Sequence, residues 1–216
     1  MIRYYFLFIL SFLISISIVI GYKSFSEEFK KNPSKNSKSI PIAPKIILDL
    51  GKAPSSTIKA KVTSLSGDVI WISRSSKSSE LMLNQQIQQG ESIETKANSY
   101  ATLTIGGLAF ELDENSKISL IQTLPRSIVI EQNSGMINYI SKNQSSPLAI
   151  KVEHLLISPK NTEIKITMDE IVKVEVISGD IIKIAYNNLD YTTETVSLSK
   201  GDVFMFDDAV REHNVL

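Results

Sequence analysis

Few side chains in this 216-residue chain are of types that do chemistry, and their spacing decides what they are worth. Its two histidines, His154 and His213, are far apart in sequence and show no metal-ligand spacing to neighbouring carboxylates. His154, between Glu153 and Leu155 beside a β-prone run, reads as a structural histidine; His213, in the polar stretch Arg211-Glu212-His213-Asn214, reads as solvated. Asp113-Glu114-Asn115-Ser116 is oxygen-rich, as a calcium loop is, but lacks the alternating ligand positions and central glycine of such a loop. It is expected to turn the chain between Leu112 and Ile118. Asp169-Glu170 and Asp207-Asp208 are paired acids, the pattern in which two carboxyls can share a proton, yet both adjoin strand ends, where acidic residues commonly serve turns. No serine has a nucleophile-elbow context and no glycine-rich loop opens a helix onto a phosphate. The chain is therefore read as not an enzyme, with no metal and no cofactor. Trp71 and Tyr139 are the candidate interaction surface, because each joins an apolar face to a polar tip and could stack on a sugar or a peptide; core packing is the alternative for both.

Composition narrows the partners. Lys plus Arg number 23, as do Asp plus Glu, so no bulk field steers nucleic acid toward the chain. There is no cysteine, which excludes a disulfide framework, a thiol nucleophile and a thiolate metal site. A hydrophobic content of 43% is ordinary for a globular protein and sufficient for a sizeable core.

The elements that must position these residues are short strands. Leu65-Ser66-Gly67-Asp68-Val69-Ile70-Trp71-Ile72 sets a grammar that returns around Gly90, Gly135, Gly179 and Gly201: a polar residue, a glycine, then a β-prone run. Glycine reaches positive φ at no steric cost, so each unit reads as strand, tight turn, strand. Strands are expected at 59–65, 69–73, 101–105, 109–112, 117–120, 128–131, 136–140, 149–152, 163–167, 172–177, 181–186 and 203–206. Alternation such as Ile164, Ile166, Met168 and Val172, Val174, Val176 sends one side chain in two into a shared core. The fold class is all-β, a short-stranded β-solenoid-like or sandwich domain behind one N-terminal transmembrane helix.

That helix is read at residues 4–22, which carry no charge and include a nearly continuous hydrocarbon run from Phe6 to Ile20. At ~1.5 Å per residue such a segment matches a ~30 Å hydrocarbon layer. It is a membrane anchor or, with Val19-Ile20-Gly21 as a poor cleavage site, a secretion signal. Lys23, Lys30, Lys31, Lys35 and Lys38 outnumber Arg3 on the other side, which by the positive-inside bias favours a cytoplasmic body. Residues 1–3 form a cytoplasmic stub, 23–57 a polar, proline-punctuated linker, 58–208 the β-domain and 209–216 a tail.

The order of motifs from Val62 to Phe206 resembles the FecR protein family. Its opening is matched by Val62-Thr63-Ser64-Leu65-Ser66-Gly67-Asp68-Val69, and its next block by Gly90-Glu91-Ser92-Ile93-Glu94-Thr95 with the alternating strand from Ser99 to Ile105. Gly106-Gly107-Leu108-Ala109-Phe110-Glu111-Leu112, Glu114-Asn115-Ser116-Lys117-Ile118, the turn at Gly135 and the hairpin around Gly179 follow in order. Each piece alone is weak; together they are fairly specific. Where the family has a Thr-Pro pair and then an Arg-Gly-Thr turn, this chain has Ser158-Pro159-Lys160-Asn161-Thr162, in which Asn would take the left-handed conformation in place of Gly. Signalling members bind a sigma factor through a cytoplasmic N-terminal region, whereas here only Met1-Ile2-Arg3 precedes the apolar run.

The resemblance implies an exported β-rich domain and outweighs the lysine count in setting orientation. The expectation is a single-pass protein of the cell membrane, tethered to the inner membrane by residues 4–22 with its β-domain in the periplasm or extracytoplasmic space. There it would bind or scaffold an envelope protein in sensing or signalling, through a sheet edge or a flat face, with no nucleic acid involved. The alternative is a glycan- or cell-wall-binding module centred on Trp71.

Overall fold

The computed structural model describes residues 56–142 and 147–216; the expected anchor at 4–22, nearly all of the linker at 23–57 and its apolar run at 46–50 lie outside the described residues. Among the described residues there are only strands, turns and bends. The strands are β1 (Ala60–Ser66), β2 (Val69–Ile72), β3 (Ser78–Glu80), β4 (Gln86–Ile87), β5 (Ser92–Thr95), β6 (Tyr100–Ile105), β7 (Leu108–Leu112), β8 (Lys117–Leu124) and β9 (Ser127–Ser141). They continue with β10 (Leu148–Val152), β11 (Leu155–Ser158), β12 (Thr162–Met168), β13 (Val172–Gly179), β14 (Ile182–Asn187), β15 (Thr193–Leu198), β16 (Val203–Asp207) and β17 (Glu212–Val215).

Two sheets form, and beyond the first strand of each both grow in chain order. One runs β4-β1-β6-β7-β9-β12-β13-β16-β17 and is antiparallel throughout. The other runs β3-β2-β5-β8-β9-β10-β11-β14-β15, antiparallel except where Ile128–Gln132 of β9 lies parallel to Leu148–Val152. β9 belongs to both: its first half pairs with β8 and β10, its second half with β7 and β12. One cluster of buried apolar residues, among them Val69, Leu103, Phe110, Ile130, Ile137, Ile157, Val174, Ile184 and Phe204, draws on both sheets. The layering is that of a sandwich and the sequential order that of a solenoid, in a sheet system that does not close.

The chain must therefore pass repeatedly from one sheet to the other, and this corrects the reading of the glycines. Gly67, Gly90, Gly135, Gly179 and Gly201 all have positive φ, between 77° and 103°. Gly67, Gly135 and Gly179, however, turn no hairpins; they are corners at which a strand leaves one sheet for the other. Gly90 lies in the β4–β5 loop and Gly201 in the β15–β16 loop.

Each corner glycine seats against the backbone of a second corner led by an Asn at positive φ: Gly67 on Asn98-Ser99, Gly135 on Asn115-Ser116, Gly179 on Asn161-Thr162. The Ser99 hydroxyl accepts a bond from the Asp68 N–H at 2.8 Å, and Ser116 does the same for Met136 at 2.9 Å. These bonds satisfy backbone donors that the interrupted ladders release. Asp113-Glu114-Asn115-Ser116, faintly like a calcium loop in sequence, is one of these corners, and Asn161 at φ 49° holds the left-handed conformation expected of it.

Tyr139, one of the two candidate surface residues, is wholly buried. Its hydroxyl donates to Gln132 Oε1 at 3.2 Å, while Gln132 Nε2 donates to the carbonyls of Gly135 and Ile166. The phenol thus helps brace the bend of β9, and burial raises its pKa far above the ordinary value. The strands expected at 128–131 and 136–140 are the two halves of β9. The stretch read as a tail, 209–216, carries β17, paired with β16 from Phe204↔Val215 to Asp207↔Glu212.

Candidate functional site

A stack of this kind has two open ends, and they are finished differently. At the end where the described chain begins, the outermost strands are β3, of three residues, and β4, of two. Such short edges offer little backbone for another chain to pair with. At the other end the outermost strands among the described residues are β15 and β17, and β15 runs for six residues, Thr193–Leu198. It contains no proline, no lysine and no bulge, and Glu194 is its one charged residue. β14 is its only strand partner among the described residues.

The register shows which backbone groups face outward. The Asn188 N–H donates to the Thr192 carbonyl at 2.9 Å, which sets the phase of the hairpin. Antiparallel pairs alternate between bonded and non-bonded, so Tyr186↔Glu194, Ile184↔Val196 and Ile182↔Leu198 are bonded inward. Thr193, Thr195 and Ser197 consequently direct their N–H and C=O groups away from β14. Side chains alternate too: Leu198 is buried and Val196 packs against the core, while Thr193, Thr195 and Ser197 are exposed.

The loop joining β14 to β15 holds its shape through its own polar side chains. Asp190 Oδ1 accepts from the Thr192 N–H at 3.0 Å and the Thr192 hydroxyl at 2.7 Å, and these bonds lower the Asp190 pKa, the hydroxyl contributing most. Thr193 Oγ1 donates to Asn187 Oδ1, and Arg211 Nη1 donates to the carbonyls of Asn187 and Asn188 from the β16–β17 hairpin. On this braced tip stand Leu189, 64% exposed, and Tyr191, 85% exposed. Tyr191 has φ 65°, a conformation that costs an L-residue about 1–2 kcal/mol. An exposed tyrosine on a braced loop is of the residue type that anchors interfaces.

Behind the edge, Tyr186, Phe204, Phe206 and His213 close the end of the core, with ring centroids 5.3–6.5 Å apart. Tyr186 donates to Glu194 Oε2, and its oxygen accepts from His213 Nδ1–H at 2.8 Å. Burial, then the bond to Glu194, pushes the Tyr186 pKa up to about 12; the Tyr186 hydroxyl in turn holds the Glu194 carboxyl below its ordinary value. His213, expected to be solvated, is thus stacked on Phe204 and part of this closure. His154 is half-exposed, with Nδ1 2.7 Å from Asp208 Oδ1, and joins the β10–β11 turn to the segment after β16. His154 has one carboxylate in hydrogen-bonding contact, and His213 has none among the described residues.

The two residues proposed as a surface are not brought together. Tyr139 is in the core, and Trp71, on β2, packs against that core with an enclosed indole N–H that meets no acceptor among the described residues. A groove of about 380 Å³ lies instead on the outer face of the first sheet, lined by Tyr100, Glu111, Met136, Asn138, Lys165 and Ile177. The open edge escaped the sequence reading because Thr193-Glu194-Thr195-Val196-Ser197-Leu198 has too few apolar residues to stand out. Its β-branched run after an Asn-rich loop is the signal that could have marked it.

No family model matches the chain, and no curated protein matches it. Two crystal structures of a candidate anti-sigma factor from Parabacteroides distasonis ATCC 8503 are similar in fold, at TM-scores of 0.50 and 0.49 and 11% identity. Each match covers 58% of this chain and 58% of the other, so the chain spans little more than half the length of these neighbours. At that identity the first likeness shows shared all-β architecture, and the second adds nothing to it.

Proposed function

We propose that this chain is a FecR-like, non-catalytic interaction module with a regulatory role in the cell envelope. Residues 4–22 tether it to the inner membrane, its β-domain stands outside the cytoplasm, and it binds an envelope protein. The observation that carries the reading is the edge of β15, open among the described residues, beside the exposed, braced tip of Leu189 and Tyr191. Strand addition there would supply main-chain hydrogen bonds, and the tip would supply an anchor for specificity. The ordered FecR-type motifs support the family reading, and the fold shared with a candidate anti-sigma factor agrees with a regulatory role.

Two measurements test it together. Protease applied outside intact spheroplasts should degrade the β-domain, and a photocrosslinker at position 191 should capture a membrane or envelope protein. Recovery of the intact chain in soluble cytosol would overturn the placement. A glycan-binding role is the second reading, and the groove beside Tyr100 favours it, since an exposed tyrosine next to Glu111, Asn138 and Lys165 offers a stacking face and hydrogen-bonding groups. Sedimentation with purified wall polymer that Tyr100→Ala abolishes, and Trp71→Ala does not, would establish it.

A further inference from the structure

We propose that the outer face of the first sheet, at the end where β1 begins, docks on an anionic lipid surface through Lys59, Lys61 and Lys142. A groove of about 620 Å³ opens there, with these lysines around a floor of Thr104, Ala109, Ile140 and the Gly106-Gly107 turn. The register shows how it is built. Lys61 lies opposite Thr104, Thr104 opposite Ala109, and Ala109 opposite Ile140, in one row across β1, β6, β7 and β9. Because Ala60 and Val62 are wholly buried, Lys59 and Lys61 project from the other face of the strand. Lys142, just after β9, brings a third ammonium to the same groove.

All three lysines are exposed, and among the described residues none has an ion-pair partner. No carboxylate lines the groove. Glu163, opposite Ile140 on β12, is the next side chain along the row, and its Oε1 accepts from Asn138 Nδ2 at 3.3 Å. The other groove on this face differs, since Lys165 is matched there by Glu111 and Asp113. Three ammonium groups gathered without a counter-charge repel one another and favour a bound anion.

The charge pattern of the chain points to which anion. The chain as a whole is neutral, yet residues 1–61 hold ten Lys and Arg against three Asp and Glu, while residues 62–216 hold 13 against 20. Positive charge is thus gathered on the side of the apolar run at 4–22 and continues through Lys59 and Lys61. An anionic bilayer attracts each Lys or Arg held near its surface. The linker at 23–57 is a poor occupant of the groove, because with seven lysines against three acidic residues it has the same sign. Even a random coil of about three dozen residues spans only roughly 30–35 Å, so a span at 4–22 keeps the groove near a membrane. Lysine stems can lie along the apolar floor while their ammonium groups meet lipid phosphates. The inference rests on reading residues 4–22 as a membrane span and holds for whichever leaflet faces the domain.

The test uses the full chain reconstituted into vesicles of phosphatidylcholine alone or mixed with phosphatidylglycerol. Because the chain has no cysteine, Thr63→Cys, exposed beside Lys61, and Leu189→Cys, on the loop at the other end of the stack, can each carry a fluorophore quenched by nitroxide-labelled headgroups. Quenching is expected at position 63 and not at 189, only with phosphatidylglycerol, and should be relieved at about 1 M salt, where the screening length falls to ~3 Å. Lys59→Gln, Lys61→Gln and Lys142→Gln together should lower the docking constant about a hundredfold, at about fivefold per lysine, while the three arginine variants keep it. The urea midpoint should not move, since all three side chains are exposed. Equal quenching in both lipids, or quenching that survives the glutamine variants, would overturn the inference. So would an unquenched position 63 whose neighbouring lysines are shielded from amine reagents by polyglutamate, which would assign the groove to an acidic protein. A chain that floats with phosphatidylcholine vesicles but shows no quenching overturns this inference alone; a chain that floats with neither lipid overturns the membrane tether as well.

Discussion

Replacing Gly135 by alanine tests the corner construction directly. Gly135 sits at φ 79° in the middle of β9, the strand that both sheets share. A Cβ there would lie 2.3 Å from Ser116 Oγ, 2.5 Å from Ser116 Cα and 2.7 Å from the Asn115 carbonyl oxygen. Two of these neighbours are backbone and cannot swing aside. Positive φ costs an L-residue about 1–2 kcal/mol and forced overpacking about 1–3 kcal/mol, so Gly135→Ala should destabilise by about 2–5 kcal/mol. For a domain of this size that is a fall of roughly 4–20 °C in Tm. Gly201→Ala is the matched control, since Gly201 has φ 91° but nothing within 4 Å of its would-be Cβ, and it should cost only the conformational part. Urea unfolding followed by Trp71 fluorescence would measure both. Gly179→Ala, facing the Asn161 carbonyl oxygen at 2.1 Å, should be at least as damaging as Gly135→Ala, and Gly67→Ala, facing backbone at 2.9 Å, less so. Equal losses at Gly135 and Gly201 would show that corner packing contributes nothing and would refute the reasoning.

Other perturbations follow from the same contacts. Tyr191→Asn should raise stability by roughly 0.5–1 kcal/mol in urea unfolding, because Asn tolerates the left-handed conformation. Tyr139→Ala should cost about 3–5 kcal/mol and Tyr139→Phe about 1 kcal/mol, the latter because Gln132 Oε1 loses its donor; thermal unfolding separates them. In phenolate absorbance, Tyr186 should ionise near pH 12 rather than 10; a phenol raised in the folded state stabilises below pH 10, and that contribution is lost as pH rises through 12. At the acid end, Glu194 is depressed in the folded state, so its contribution is present above pH 4.5 and is lost as pH falls through the lower folded value; Glu194→Gln should flatten that part of the urea-midpoint profile.

Much of the architecture was legible because it depends on local pattern. Alternation in Ile164, Ile166, Val172, Val174 and Val176 marks a two-sided strand in any context, and all five are buried. Positive-φ glycines could be read singly for the same reason. Their partners could not. That Gly135 needs Asn115-Ser116, and Gly67 needs Asn98-Ser99, is a contact over about twenty or thirty residues that no local pattern announces. The burial of Tyr139 was hidden on the same ground. Tyr139 and Trp71 are amphipathic in any setting, and only the bend of β9 sends the tyrosine inward to Gln132.

The sequence by itself settled that the described region would be strand and turn, since period-two alternation and the φ freedom of glycine are properties of a few neighbouring residues. Tertiary structure alone decided which glycines are corners rather than hairpins and that His213 packs instead of facing water. It also decided that Thr193–Leu198, a polar run of no distinction in the chain, is an outermost strand among the described residues. Whether a strand is interior or edge depends on how many others stack beyond it, and that count exists only once the chain has folded.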